Sequence, residues 1–330
     1  MSELRWNPQL REWVMTATHR QERTFLPSRG FCPLCPAGRS EVPIEIDRPD
    51  FQVAVFENRF PTLRRDPPEP AVEGTELTPV RPSLGACEVV VYTPEHDATA
   101  ADLGLRQLEL LIAVWAQRTL ELGSRPEVDY VFAFENKGES IGVTLHHPHG
   151  QIYAYPFVPP LIQREVAAAR EHSASAGACL WCGLLEQELA DGRRIVARTE
   201  RWLACVPFFA HWPYEIHLTP RRHIGWLHEL DDAELAELAR LLKTVLLKYD
   251  RLFGFSLPYI MAIHQRPTDG GQHDGYHLHF EFYPPNRTES KVKYLAGSEA
   301  GAGAFINDTL PEETAERLRK LDPRTPADLP

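Results

Sequence analysis

The sequence predicts an α+β chain made of two tandem halves, each a mostly antiparallel sheet with one long helix. Three observations predict it. The pattern C-x-x-C occurs twice, as "CPLC" (Cys32, Cys35) and "CLWC" (Cys179, Cys182). A strand-like run leads to a histidine in both halves, in "VYTPEH" and "LTPRRH". An H-x-H pair opens the last strand-like run of each half, in "HPHGQIYAYP" and "HLHFEFYPP". An internal duplication accounts for all three. The rival reading is chance, because alternating strands resemble one another.

In the first half, "FQVAVFEN" (51–58) and "CEVVVYTPEH" (87–96) have the two-residue period of strands. Apolar residues recur every three to four positions near 103–122, which predicts a helix. "DYVFAFEN" (129–136) and 147–156 follow as strands. In the second half the same order returns as "RWLACVPFFAHWP" (201–213), "YEIHLTPRRH" (214–223), a helix near 231–252, "PYIMAIHQ" (258–265) and "YHLHFEFYPP" (276–285). The Pro-rich stretch 66–82 reads as an inserted loop. The halves are expected at 1–172 and 173–330. Their junction follows the helix-like "LIQREVAAAREH", near the small-residue stretch "SASAGA" (173–178).

At 330 residues and 43% hydrophobic the chain can bury a core without covalent staples. A formal charge of −11 argues against a nucleic-acid partner, since phosphate backbones need basic surfaces. A small phosphorylated ligand stays open, because a few arginines in one cleft create a local positive site. No apolar run approaches the roughly 18 residues of a membrane helix, so no membrane partner is expected. "MSELRWNPQL" lacks a basic start followed by an apolar stretch. The expected compartment is the cytoplasm, where paired cysteines hold metal more often than they form disulfides.

Zinc completes a tetrahedron on two thiolates with two further groups, commonly imidazoles. For Cys32 and Cys35 the candidates are His96 and His147. The alternatives are a metal-free surface pair and a redox pair, the latter disfavoured by the two prolines of "CPLCP" where a helix would start. On a strand, His147, His149 and Gln151 share one face, with Pro148 opposite. With His147 on zinc, His149 lies about 7 Å further along and off the metal. A neutral imidazole there is a nucleophile for phosphorus, and Gln151 offers an uncharged donor to a phosphate oxygen. The plainer reading makes His149 one more metal ligand.

"FENKG" (134–138) and "HPHGQ" (147–151), downstream of a C-x-x-C pair, resemble the galactose-1-phosphate uridylyltransferase family, a branch of the histidine-triad superfamily. The likeness runs from "WNPQLREWV" (6–14) to "FYPP" (282–285) and the tail beyond. It implies two tandem histidine-triad-like halves and a homodimer whose active site borrows residues from its neighbour. It implies zinc on Cys32, Cys35, His96 and His147, a nucleophile at His149 and a phosphate contact from Gln151. Phe134, Asn136 and Thr144 fall on the family's nucleotide-contacting segment, Arg20 and Arg23 on residues near the diphosphate, and Lys293 and Glu299 on hexose contacts in an altered loop. The implied reaction is UMP exchange between UDP-glucose and galactose 1-phosphate through a uridylyl-histidine.

The second half departs from the family pattern. A second metal site, zinc or iron, is expected either on Cys179, Cys182, His223 and His277, which repeat the first-half order, or on Glu165, His264, His279 and Glu281, where the last residue has become glutamate. A third reading lets the latter four hydrogen-bond one another without metal. Glu281 stands where Gln151 stands in the first half, and a carboxylate would repel a phosphate, so the second half is expected to be catalytically silent. The rival functions are an ADP-sugar phosphorylase or adenylyltransferase of the same superfamily, a hydrolase, which Gln151 disfavours, and a non-enzymatic zinc module.

Overall fold

The computed structural model describes residues 2–22, 32–37 and 44–323. Its strands are β1 (Ser2–Asn7), β2 (Glu12–Ala17), β3 (Ala54–Glu57), β4 (Val80–Pro82), β5 (Ala86–Val91), β6 (Tyr130–Lys137) and β7 (His149–Tyr155) in the first half. The second half holds β8 (Ile195–Arg198), β9 (Trp202–Cys205), β10 (Ile216–Pro220), β11 (Tyr259–His264) and β12 (His279–Tyr283). The helices are α1 (Leu105–Gly123), α2 (Pro160–Ala176), α3 (Leu180–Asp191), α4 (Asp232–Leu252) and α5 (Pro311–Lys320). This is the α+β duplication that the sequence predicts.

Each half contributes an antiparallel set of strands, and the two sets join into one nine-stranded sheet in the order β3-β5-β7-β6-β11-β12-β10-β9-β8. The first half reads β3-β5-β7-β6, and the second, from its own edge, reads β8-β9-β10-β12-β11, the same order with β8 added outside. The halves therefore meet across β6 and β11, antiparallel, with Phe134 opposite Ala262. A small separate sheet, β2-β1-β4, stands outside this order.

Helices α1 and α4 bury Leu108, Leu111, Ile112, Trp115 and Leu122, and Leu238, Leu242, Val245, Tyr249 and Leu252, at the three-to-four spacing of one helical stripe. Asp231 accepts from the Glu234 N–H at 2.7 Å and Glu234 returns a bond to the Asp231 N–H at 3.0 Å, a reciprocal cap of about 1 kcal/mol that fixes where α4 begins. Both stripes join one core with Val131, Ala133, Ile152, Ala154, Met261, Ile263, Phe280 and Phe282. Because strand side chains alternate, Phe134, Gln151, Tyr153, His264, His279 and Glu281 face the other way. Chemistry occupies one face of the sheet and the helical core the other. Part of the chemical face is covered by α2, whose Ile162 and Val166 pack with Phe132, Tyr155 and Tyr276.

Prolines trim several expected strands. Pro207 and its successors leave only Trp202–Cys205 of the run 201–213 in the sheet, and β7 starts at His149, after Pro148. The stretch 66–82 is irregular until Val80–Pro82, which pairs with β1. "SASAGA" is helical through Ala176, and α2 ends at Gly177 in the left-handed region (φ 66°), whose N–H closes on the Ser173 carbonyl at 2.9 Å. Among the described residues no helix is long and apolar enough to cross a membrane.

Candidate active site and metal centres

Cys32, Cys35, His96 and His147 converge, their ligand atoms all within 4.8 Å of one another. His147 Nδ1 lies 3.9 Å from Cys32 Sγ and 3.7 Å from Cys35 Sγ, and His96 Nδ1 lies 3.5 Å from Cys35 Sγ. A tetrahedral zinc site has sulfur–nitrogen edges of about 3.6 Å, so the donors fit a metal of that kind. The His147 Nε2–H donates to the Thr93 carbonyl at 2.7 Å, which turns Nδ1 toward the thiols. Burial pushes the Cys32 thiol up to about 12 and the His147 imidazole down to about 4. Two buried thiols next to neutral imidazoles are costly as anions unless a cation joins them.

His149 is half-buried at the start of β7 and stands outside this cluster. Its Nδ1–H donates to the His147 carbonyl at 2.7 Å, which leaves the lone pair on Nε2. Two residues on, Gln151 Oε1 accepts from Asn58 Nδ2 at 3.1 Å and from the Tyr153 hydroxyl at 3.3 Å. With its oxygen engaged twice, Gln151 presents its NH2 group as a donor. Phe134 lies opposite Gln151 in the β6–β7 register, stacked on Phe132 at 5.1 Å and edge-on to Tyr153 at 5.1 Å. Asn136 follows on the same face of β6, and Thr144 is half-buried in the segment between β6 and β7.

Arg20, in the short turn Thr18–Glu22, sits close to Tyr153 and Cys87. Burial raises both groups, and the Arg20 charge partly offsets the rise. Arg23 lies outside the described residues. Lys293 and Glu299 are not beside His149 in bonding. Both are buried, Lys293 Nζ lies 2.9 Å from Glu299 Oε1, and its second bond goes to the Ile306 carbonyl at 2.5 Å.

The second half holds both of its candidate clusters at once. Cys179, Cys182, His223 and His277 lie within 4.8 Å of one another, with His277 Nδ1 at 3.6 Å from each sulfur and His223 Nδ1 at 3.8 Å from Cys182. His277 Nε2–H donates to the Pro220 carbonyl at 3.0 Å, as His147 does to Thr93. Glu165, His264, His279 and Glu281 converge within the same limit. His264 Nδ1 is 3.0 Å from Glu165, and His279 Nε2 is 3.4 Å from Glu281. Burial opposes charge on His264, yet the Glu165 and Glu281 carboxylates raise it to about 9. His217 reaches both Glu215 (2.8 Å) and Glu281 (3.3 Å). The third reading, hydrogen bonds among these groups, is thus present alongside the metal-ligand geometry.

The chain matches the family description "Galactose-1-phosphate uridyl transferase, N-terminal domain" over residues 1–159 and the corresponding C-terminal domain over 165–326. It is 42% identical over 325 residues to the galactose-1-phosphate uridylyltransferase of Thermotoga maritima, covering 98% of this chain and 99% of that protein. The chain belongs to the galactose-1-phosphate uridyl transferase family. A solved uridylyltransferase structure superposes with TM-score 0.86 at 38% identity, over 96% of this chain and 97% of that one. An Arabidopsis thaliana ADP-glucose phosphorylase with bound ADP-glucose shares the fold, with TM-score 0.73 at 24% identity over 98% and 99% of the chains.

Membership in the galactose-1-phosphate uridyl transferase family makes the chain a transferase of galactose metabolism. Sequence reasoning missed Asn58 and Tyr153, the two donors that orient Gln151. A signal for Asn58 existed. "FEN" occurs at 56–58 and again at 134–136, and Asn58 holds in the first copy the place that Asn136 holds in the second.

Proposed function

We propose that the protein exchanges a uridylyl group between UDP-glucose and galactose 1-phosphate by double displacement on His149. The observation that carries this reading is the His149 ring, tied by Nδ1–H to the His147 carbonyl. Nε2 attacks the α-phosphorus of UDP-glucose, a phosphorus–nitrogen bond forms, and glucose 1-phosphate leaves with the electrons of the broken phosphoanhydride bond. The ring keeps its Nδ1 proton, so its positive charge is shared with the His147 carbonyl and offset by the attached phosphate. A phosphate oxygen of galactose 1-phosphate then displaces His149 and yields UDP-galactose. The Gln151 NH2 donates to the non-bridging oxygens as charge builds. Phe134, Asn136 and Thr144 bound the nucleotide, and Arg20 and Arg23 supply positive charge to the diphosphate. Glu281 at the matching place in the second half leaves one reactive centre per chain.

Two thiolates and two imidazoles at these spacings favour zinc on Cys32, Cys35, His96 and His147, and again on Cys179, Cys182, His223 and His277. The harder set of Glu165, His264, His279 and Glu281 suits zinc or iron. Bound metal supplies rigidity here, pinning His147 and with it the carbonyl that orients His149. A cytoplasmic homodimer completes the proposal. Tyr294, Leu295, Phe305 and Ile306 expose apolar surface along the loop that buries Lys293 and Glu299, and a second copy covering this loop brings that pair to its own His149 site.

Intact-mass measurement after incubation with UDP-glucose tests the proposal. A uridylyl adduct is expected on the wild type and none on His149→Ala; an adduct on His149→Ala rejects the mechanism. Parallel incubation with ADP-glucose reads the nucleobase choice.

A further inference from the structure

We infer that Glu135 is a positioning residue for the His149 nucleophile, acting through the Tyr92 hydroxyl that underlies Gly150. The inference rests on the proposed role of His149. Glu135 stands on β6 between Phe134 and Asn136, but its side chain turns to the helical side of the sheet, 4% exposed. It is the one acidic residue of the "FENKG" segment, and the proposed chemistry does not use it directly.

Four polar groups face this carboxyl. The Tyr259 hydroxyl, from β11 of the other half, donates to Oε1 at 3.2 Å. The Tyr92 hydroxyl comes from the residue that follows β5, the Lys137 ammonium from β6 itself and the Asp250 carboxylate from α4. Lys137 is engaged by Asp250 at 2.9 Å and lies over the Tyr259 ring at 5.1 Å. Among the described residues no ion pair reaches Glu135, and burial pushes its carboxyl up to about 7, Lys137 opposing. Below neutrality the site thus holds a dry carboxylic acid between two tyrosines, and its ionisation begins as the pH approaches 7.

Tyr92 carries the effect to the nucleophile. It is fully buried, its N–H donates to the Pro148 carbonyl at 3.1 Å and its ring meets Trp115 edge-on at 5.9 Å. Its hydroxyl presses on Gly150: a methyl group built there would lie 2.2 Å from Oη. Among the described residues that hydroxyl has no hydrogen-bond partner in the static structure, and Glu135 is the polar group it faces. Gly150 separates His149 from Gln151. Whatever holds Tyr92 Oη in place therefore sets both side chains that meet the phosphate, and errors of about 1 Å at a reacting atom cost on the order of 100-fold in rate.

The test measures uridylyl transfer by wild type, Glu135→Gln, Glu135→Ala and Tyr92→Phe from pH 6 to 8.5, with thermal melts from pH 4.5 to 8.5. Glu135→Gln, neutral and still an acceptor, is expected within about threefold of wild type at pH 7 with unchanged KM. Its rate is expected to stay level where the wild-type rate falls as the buried carboxyl ionises. Glu135→Ala and Tyr92→Phe are expected to lose at least tenfold in kcat with KM for UDP-glucose within twofold. Because burial raises the folded-state carboxyl above its ordinary range, the contribution of Glu135 to wild-type stability is fullest below about pH 4.5 and falls as pH rises to about 7. The melting advantage of Glu135→Gln is therefore expected to grow across that window. Identical pH profiles for wild type and Glu135→Gln, or a folded Glu135→Ala as fast as wild type, overturn the inference. Should Glu135→Ala not fold, Tyr92→Phe and Glu135→Gln decide it. A wild type that accepts no uridylyl group rejects the proposed function, and this inference with it; an active wild type matched by every variant rejects the inference alone.

Discussion

The Nδ1 atom of His149 sits 2.7 Å from the carbonyl oxygen of His147, the residue whose own Nδ1 points into the first cysteine pair. One histidine belongs to a candidate metal cluster and the next but one takes its orientation from that residue's backbone. Cys35→Ser, which removes one corner of the cluster, is expected to lower bound metal by one equivalent per chain by elemental analysis. Transfer is expected to fall about 10- to 100-fold, the usual cost of disturbing a metal site's support.

Gln151→Glu installs in the first half the residue that occupies position 281 in the second. Asn58 Nδ2 and the Tyr153 hydroxyl still donate to one oxygen, but the other becomes an acceptor facing phosphate. A loss of about 100- to 1,000-fold in kcat is expected, the scale for removing one donor from a developing oxyanion. Single-turnover formation of the nucleotidyl protein measures it, and an unchanged rate would falsify the role given to Gln151.

Cys179→Ser tells the two candidate metal clusters of the second half apart. Its sulfur lies 3.6 Å from His277 Nδ1, so the variant is expected to lose one metal per chain while the first cluster keeps its own. Unchanged metal content means that the second cysteine pair binds none. Metal retained after both Cys35→Ser and Cys179→Ser assigns an ion to Glu165, His264, His279 and Glu281.

Gly150→Ala places a methyl 2.2 Å from Tyr92 Oη and 2.9 Å from the Phe134 carbonyl. Neither neighbour is the loose end of a flexible chain. A destabilisation of about 1–3 kcal/mol is expected from overpacking, read as a lower melting temperature, together with slower transfer. Tyr92→Phe on this background relieves the first clash and is expected to restore part of the melting temperature but not the rate of transfer.

Glu299 is held down to about 2 by the Lys293 ammonium beside it. Its folded value lies below its unfolded one, so the stabilisation is present above about pH 4.5 and disappears as pH falls through 2. Acid unfolding of the wild type is expected to steepen across that window, and Glu299→Gln is expected to flatten it.

The duplication, both cysteine pairs and the histidines that converge on them were legible in the sequence, because thiol spacing and the two-residue period of strands are local signals. So were α1 and α4, whose apolar stripes set them apart. The pairing of β6 with β11 was not legible, since it joins strands about 130 positions apart that carry no complementary pattern. Asn58 and Tyr153 escaped for a related reason. Each works by a bond to Gln151 that exists only once β3, β5 and β7 lie side by side. Residues 2–7 and 12–17 are too short and too polar on one face to announce the hairpin that they form.

The shared border between β6 and β11 has a bearing on what can be taken apart. Cut between 159 and 165, where the two family domains meet, each fragment would carry a bare row of backbone donors and acceptors along its innermost strand. Glu135 would lose Tyr259 and Lys137 would lose Asp250. The fragments should recombine with each other, or pair wrongly with themselves, rather than persist alone. The second copy, whatever its own chemistry, is thus indispensable as the neighbour that the first copy leans on.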